Sequence, residues 1–73
     1  MENVFLLKDL ARISGQSVYT IKYYLKIGLI KETGRSMETR FRYFDQSSLK
    51  SLERIRQLRK QKKSIREIKE LLK

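Results

Sequence analysis

Leu7–Leu25 reads LKDLARISGQSVYTIKYYL, and how it folds decides the rest of the chain. Leu7, Leu10 and Ala11 recur at helical spacing, so a first helix is predicted from about Leu7 to Ile13 with one buried face. Asp9 falls in its first turn, where a carboxylate suits the positive end of the helix dipole. Ser14-Gly15-Gln16 breaks the pattern, and Gly15 is the residue expected to take a positive φ there. Ser17 is a good N-cap for a second helix. Val18, Ile21 and Leu25 are placed against the first helix, with Tyr24 at the border of that stripe and mostly in the core. Tyr19, Lys22, Tyr23 and Lys26 are left pointing outward. Two short helices, a glycine turn and an unspent polar-aromatic face are the signature of a helix-turn-helix.

Downstream, Gly28 is read as the stop of the second helix. Leu29-Ile30 begins an extended stretch, and Lys31–Thr39 (KETGRSMET) has no periodicity and reads as a loop. Arg40–Phe44 (RFRYF) alternates basic and aromatic side chains, as a strand with two faces does. Phe41 and Tyr43 are assigned to one face, Arg40, Arg42 and Phe44 to the other, and Leu29–Lys31 is the expected partner strand of a small wing. Asp45 is an N-cap candidate for a third helix running to about Lys60, with Leu49, Leu52, Ile55 and Leu58 in steps of three. Gln61-Lys62-Lys63 links it to a fourth, opened by the capping box Ser64-Ile65-Arg66-Glu67. Ile65, Ile68, Leu71 and Leu72 form that helix's apolar face. The expected fold is therefore mostly α: a winged helix-turn-helix of four helices with a small two-stranded β wing, one domain over residues 1–73. Its core is drawn from Leu7, Leu10, Ala11, Val18, Ile21, Leu25, Leu29, Phe41, Leu49, Leu52, Ile55, Ile65, Ile68 and Leu72.

Charge says what such a surface would meet. Lys and Arg number 18 against 8 acidic residues, a net charge of +10 on 73 residues. Twelve of the basic residues follow residue 36. That excess calls for a polyanion, nucleic acid before an anionic membrane. With no Cys and no His, neither disulfides nor a soft metal site can staple so small a core, and no cofactor is expected. Absence of Cys agrees with a reducing, cytoplasmic setting alongside the nucleoid. No apolar run is long enough for a membrane span or a secretory signal. Catalysis lacks a His or Cys, a glycine-rich phosphate loop and a clustered carboxylate pair, while Ser17 and Ser64 are explained as caps, so no enzyme is expected.

Three segments carry a resemblance: LARISGQSVYTIKYYLKIGLI (Leu10–Ile30), RFRYFD (Arg40–Asp45) and SIREIKELL (Ser64–Leu72). In this order and spacing they resemble the N-terminal DNA-binding domain of the MerR family of bacterial transcription regulators, over nearly the whole chain. The resemblance implies sequence-specific binding of double-stranded DNA for regulation of transcription. Three departures stand out. Glu38-Thr39-Arg40 replaces the Asn-Gly that usually precedes the wing strand, in a loop about one residue longer. A lysine-rich link replaces a common Gly between the last two helices. The long dimerising helix and effector domain of full-length members do not follow, so an excised domain and a naturally minimal protein are both open, as is an excisionase-like or architectural DNA-bending role.

The site expectations combine both lines. The second helix fits the major groove, which admits an α-helix and displays distinguishable base edges. Ser17, Tyr19, Thr20, Lys22, Tyr23 and Lys26 form the DNA-facing set of this helix: Tyr19, Thr20 and Lys22 toward bases, the Tyr23 hydroxyl on a phosphate, Lys26 along the backbone. The resemblance supports such roles at Tyr19, Lys22 and Tyr23. On the wing, Arg40 and Arg42 lie beside backbone and minor groove, where guanidinium groups are favoured. Arg42 matches the family's backbone-contacting wing Arg, whereas Arg40 stands at a Gly position and inherits no role. Arg35 and Lys31 reach flanking phosphates or remain solvated. Pairing of copies would come from the last two helices, from cooperative binding on adjacent sites, or from a missing remainder of the chain. The remaining alternative, a basic helical module for a membrane or an acidic protein, explains residues 49–73 but neither the capped turn nor the wing.

Overall fold

The computed structural model describes residues 4–72; residues 1–3 and 73, and with them the first part of the N-terminal lead-in, lie outside the described residues. The chain runs β1 (Phe5–Leu6), α1 (Leu7–Ser14), α2 (Val18–Lys26), β2 (Gly34–Arg35), β3 (Arg42–Phe44), α3 (Gln46–Lys60) and α4 (Ile65–Leu71). Four helices and a small antiparallel sheet are thus formed. The Leu6 N–H donates to Asp9 Oδ2 at 3.0 Å, so Asp9 satisfies a backbone donor at the start of α1. Gly15 closes α1 at φ 74°, its N–H donating to the Ala11 carbonyl. The Ser17 hydroxyl accepts from the Thr20 N–H and starts α2.

The second and third helices end with the same device. After α2, Gly28 adopts φ 78°; the Leu29 N–H reaches the Tyr24 carbonyl at 2.8 Å and the Gly28 N–H the Leu25 carbonyl at 3.2 Å. That bond pair is a Schellman motif, which wants a left-handed residue at the position of Gly28. After α3 the Lys63 N–H reaches Leu58 at 3.1 Å and the Lys62 N–H reaches Arg59 at 2.9 Å. Here the left-handed residue is Lys62, at φ 63°. The Ser64–Glu67 capping box forms as expected and opens α4.

The sheet departs from the expected wing. Its strand order is β1-β3-β2, so the wing hairpin of β2 and β3 gains a third strand from the start of the chain. Phe5 pairs with Phe44 and Leu6 with Tyr43; Gly34 pairs with Tyr43 and Arg35 with Arg42. The partner of the basic-aromatic strand is therefore Gly34–Arg35, inside the segment expected to be loop, and not Leu29–Lys31. Leu29 and Ile30 are occupied elsewhere: both are buried, directly after the α2 stop. Gly34 is chosen by close approach, since a Cβ there would collide with the hydroxyl end of Tyr43.

The strand faces are also reassigned. Phe44 is fully buried and Phe41 is 61% exposed. Arg40 takes φ 61°, which breaks the extended run, so the strand starts only at Arg42 and the alternation expected from Arg40 does not hold. The core joins Leu10, Ile21, Tyr24, Leu29, Ile30, Phe44, Leu49, Leu52, Ile55, Leu58 and Ile68, with Leu7, Ala11, Leu25, Ile65 and Leu72 partly buried against it. Val18 and Leu71, expected to pack inward, are exposed. The α2 stripe centres on Ile21 and Tyr24, leaving Val18 at its edge in the first turn; the single buried residue of α4 is Ile68. Among the described residues no buried side-chain nitrogen or oxygen lacks a partner.

Candidate nucleic-acid interface

α2 carries no acidic residue in its first turn and ends on Lys26. Ile21 and Tyr24 anchor it in the core, and the opposite side faces solvent. Tyr19 is 83% exposed and Tyr23 47%, and Lys22 and Lys26 are exposed beside them. The Tyr23 ring leans on buried Tyr24, centroids 6.1 Å apart, so its orientation is tied to the core. Ser17 and Thr20 are bonded to each other: Ser17 Oγ donates to Thr20 Oγ1 at 2.8 Å while accepting from the Thr20 N–H at 3.0 Å. Their hydroxyls are thereby oriented at the N-terminal end of α2, where backbone N–H groups favour an anion.

The helix-turn-helix is held from behind by α3. Arg56 Nη1 donates to the Ser14 carbonyl at 3.1 Å, and Gln16 Nε2 donates to the Leu52 carbonyl at 3.2 Å. These two bonds fix the turn between α1 and α2 at both ends. The Arg56 bond also satisfies a carbonyl at the end of α1, where a cation is favoured by the dipole.

Between α2 and the wing runs an open groove of about 1190 Å³. Leu6, Leu7, Leu25, Ile30 and Phe41 supply apolar lining. Lys22 and Lys26 line it from α2, Arg35, Arg40 and Arg42 from the wing, with Lys8 and Lys31 completing, among the described residues, seven cations against a single carboxylate, Glu32. Seven positive charges along one trough with low-dielectric walls focus the potential there. Five of the nine expected site residues, Lys22, Lys26, Arg35, Arg40 and Arg42, thus meet in one feature. Ser17, Tyr19, Thr20 and Tyr23 do not line it; they lie on the outer side of α2.

Two contributors were not foreseen from sequence. Lys8 lies on the first helix of the helix-turn-helix, apart from the outward face of the second, and only the packing of α1 against α2 brings it to the groove. Glu32 falls in the segment expected to be loop. Its Oε1 lies 2.9 Å from Arg35 Nε and its Oε2 3.1 Å from Arg42 Nε. The wing tip between β2 and β3 is a closed turn: the Arg40 N–H donates to Ser36 at 2.8 Å and the Ser36 N–H to Phe41 at 3.0 Å. Met37 stands at that tip, 96% exposed. Among the described residues no helix is long and apolar enough to cross a membrane, and no three His, Cys, Asp or Glu side chains gather as a metal site would need.

The model of the MerR HTH family of regulatory proteins matches residues 5–73. The chain belongs to the MerR family. Solved structures agree on the fold of this MerR-family domain. It superposes on a MerR-family transcriptional regulator from Bacillus cereus with a TM-score of 0.89 at 23% identity, covering 96% of this chain and 52% of that one. HiNmlR, a MerR-family regulator lacking the sensor domain and bound to promoter DNA, is similar at TM-score 0.85 and 27% identity, over 96% of this chain and 52% of that one. The HTH-type transcriptional regulator SkgA from Caulobacter crescentus is similar at 0.83 and 30% identity, over 94% and 49%. The MerR-family chain therefore spans about half the length of the solved structures it matches. No curated protein sequence matches it.

Proposed function

We propose that residues 1–73 act as one sequence-specific duplex-DNA-binding module in the control of transcription, with α2 in the major groove and the wing on the flanking backbone. The observation that carries this reading is the continuity of two surfaces. The exposed face of α2, with Tyr19, Lys22 and Tyr23, runs directly into a cationic groove bounded on its far side by the wing arginines. A helix in the major groove has phosphate backbone along its flank, and the groove offers that backbone cations on both sides. The DNA-bound state of HiNmlR, a relative with the same fold over 96% of this chain, supports the same use of the surface.

The roles divide accordingly. Tyr19, Thr20 and Lys22 face base edges, Ser17 sits at the end of α2 nearest a phosphate, and Tyr23 and Lys26 follow the backbone. Arg35, Arg40 and Arg42 grip the adjoining phosphates from the wing, next to the minor groove. Lys8 and Lys31 extend the track. No step in this function requires a catalytic group or a cofactor, and it would place the protein with the nucleoid in the cytoplasm.

Salt titration of duplex binding tests the reading first. Affinity should fall steeply as salt rises, because each neutralised phosphate releases counterions; a flat salt profile would sink it. Lys22→Ala should cost about 1–3 kcal/mol on a selected site and much less on random duplex if Lys22 reads a base. Equal losses on both would make Lys22 a backbone contact. Arg42→Ala should instead lower affinity on every sequence alike.

A further inference from the structure

Among the described residues, Glu32 is the lone carboxylate lining a groove that holds seven cations. It sits on the short connection between the end of α2 and β2, half-buried, its side chain 31% exposed. Each of its oxygens engages a different arginine through Nε: Arg35 at 2.9 Å and Arg42 at 3.1 Å. Arg35 and Arg42 are register partners, directly opposite each other on β2 and β3. Two like charges at such a pair repel and weaken the hairpin. One carboxylate bridging them removes that repulsion and holds both guanidinium groups on the groove side of the wing.

A guanidinium pairs with phosphate through the same kind of N–H edge it offers a carboxylate. The arginines cannot give their Nε edges to Glu32 and to a phosphate at once. A phosphate entering the groove also meets the Glu32 charge at close range, a repulsion that salt screens only in part. We propose that Glu32 acts as an internal stand-in for a DNA phosphate: it occupies the Nε edges of Arg35 and Arg42 in the free protein and yields those edges when duplex binds. The inference rests on the DNA-binding reading of the groove and assigns a regulator of that site's strength. Since phosphates are common to all sequences, the exchange weakens binding to any duplex, and α2's base contacts decide which sites are held despite it. A basic surface of net charge +10 would otherwise cling to bulk DNA.

The test compares wild type with Glu32→Gln on a short random-sequence duplex across a salt series. Glutamine keeps the shape and removes the charge. The variant should bind about five- to tenfold more tightly near 0.1 M salt, with a slope steeper by about one counterion, as expected when one more cation is released to phosphate. In an Arg35→Ala/Arg42→Ala background the same substitution should change affinity far less, because nothing remains for Glu32 to hold. In the free protein, the Nε–H protons of Arg35 and Arg42 should both be protected from exchange in wild type, and at least one of them should lose protection in Glu32→Gln, whose amide keeps one acceptor oxygen where the carboxylate has two, while circular dichroism shows both folded. Unchanged or weaker binding by Glu32→Gln would make Glu32 a strut of the wing and overturn the proposal. So would an equal gain in the double-arginine background, which would mean bulk charge only, or unprotected Nε–H protons in wild type. Failure of wild type to bind duplex at any salt is a separate result: it removes the DNA-binding reading itself.

Discussion

Two single residues hold left-handed backbone without being glycine: Arg40 at φ 61° and Lys62 at φ 63°. By resemblance Arg40 stands at a Gly position and Lys62 lies in the lysine-rich link that replaces a common Gly, and the geometry gives the reason a Gly would suit either place. Lys62 fills the position in the second Schellman motif that Gly28 fills in the first. A side chain with a Cβ pays about 1–2 kcal/mol in that conformation, against about 0.5–1 kcal/mol for the greater freedom glycine loses on folding. Lys62→Gly should therefore raise stability by up to about 1 kcal/mol, read as a higher urea midpoint with unchanged slope. Arg40→Gly should raise it similarly while weakening duplex binding, since it also removes a groove cation. That split would identify Arg40 as strain kept for function. A loss of stability in either variant would show that its long side chain contributes packing that outweighs the backbone gain.

At the scale of elements, the helices and the basic-aromatic wing strand are legible, and the strands that pair with it are not. Glycine stops, Ser17, Asp45 and the Ser64–Glu67 box are local signals, and each helix obeys bonds made within its own neighbourhood. The wing is built from non-local pairings of two- and three-residue strands. Its partner Gly34–Arg35 has no periodicity to read, and the left-handed turn at Arg40 hid which aromatic, Phe41 or Phe44, faces inward. The site divides the same way: the α2 side chains follow from helical spacing, while Lys8 and Glu32 join the groove only through packing. The caps also set a pH response. Hydrogen bonds from the Ser47 hydroxyl and backbone hold the Asp45 carboxyl below its ordinary range, and the Ser64 backbone N–H, with the Ser64 hydroxyl, does the same for Glu67. Carboxylates depressed in the folded state bind protons less readily there than in the unfolded chain, so stability rises with pH through that interval. Thermal stability should stay level above the ordinary carboxylate range and fall as pH drops through the depressed values. Glu67→Gln, which can still accept the capping bond, should show a shallower acid decline in the same melting series.

For the whole molecule, one small core must supply nearly all the stability, with no disulfide to help. Phe44 lies at its hub: it is fully buried, its strand packs on α1 and α3, and its backbone pairs with Phe5. Phe44→Ala should cost about 3–5 kcal/mol, a large part of the roughly 5–15 kcal/mol a domain holds. Chemical denaturation should show the midpoint collapse or the cooperative transition vanish; a drop under about 1 kcal/mol would contradict so central a place. The three-stranded sheet has a further consequence, for the order in which the molecule is made. β1 and its central partner β3 are separated by about half the chain, whereas α1, the glycine turn and α2 are neighbours that need only local closure. Contacts of short separation form first and distant strand pairs last. On the ribosome, then, the α1–α2 unit would be complete while β1 still waited, unpaired, for residues near Phe44 to emerge, and the two sides of the groove would come together only after the second had been synthesised.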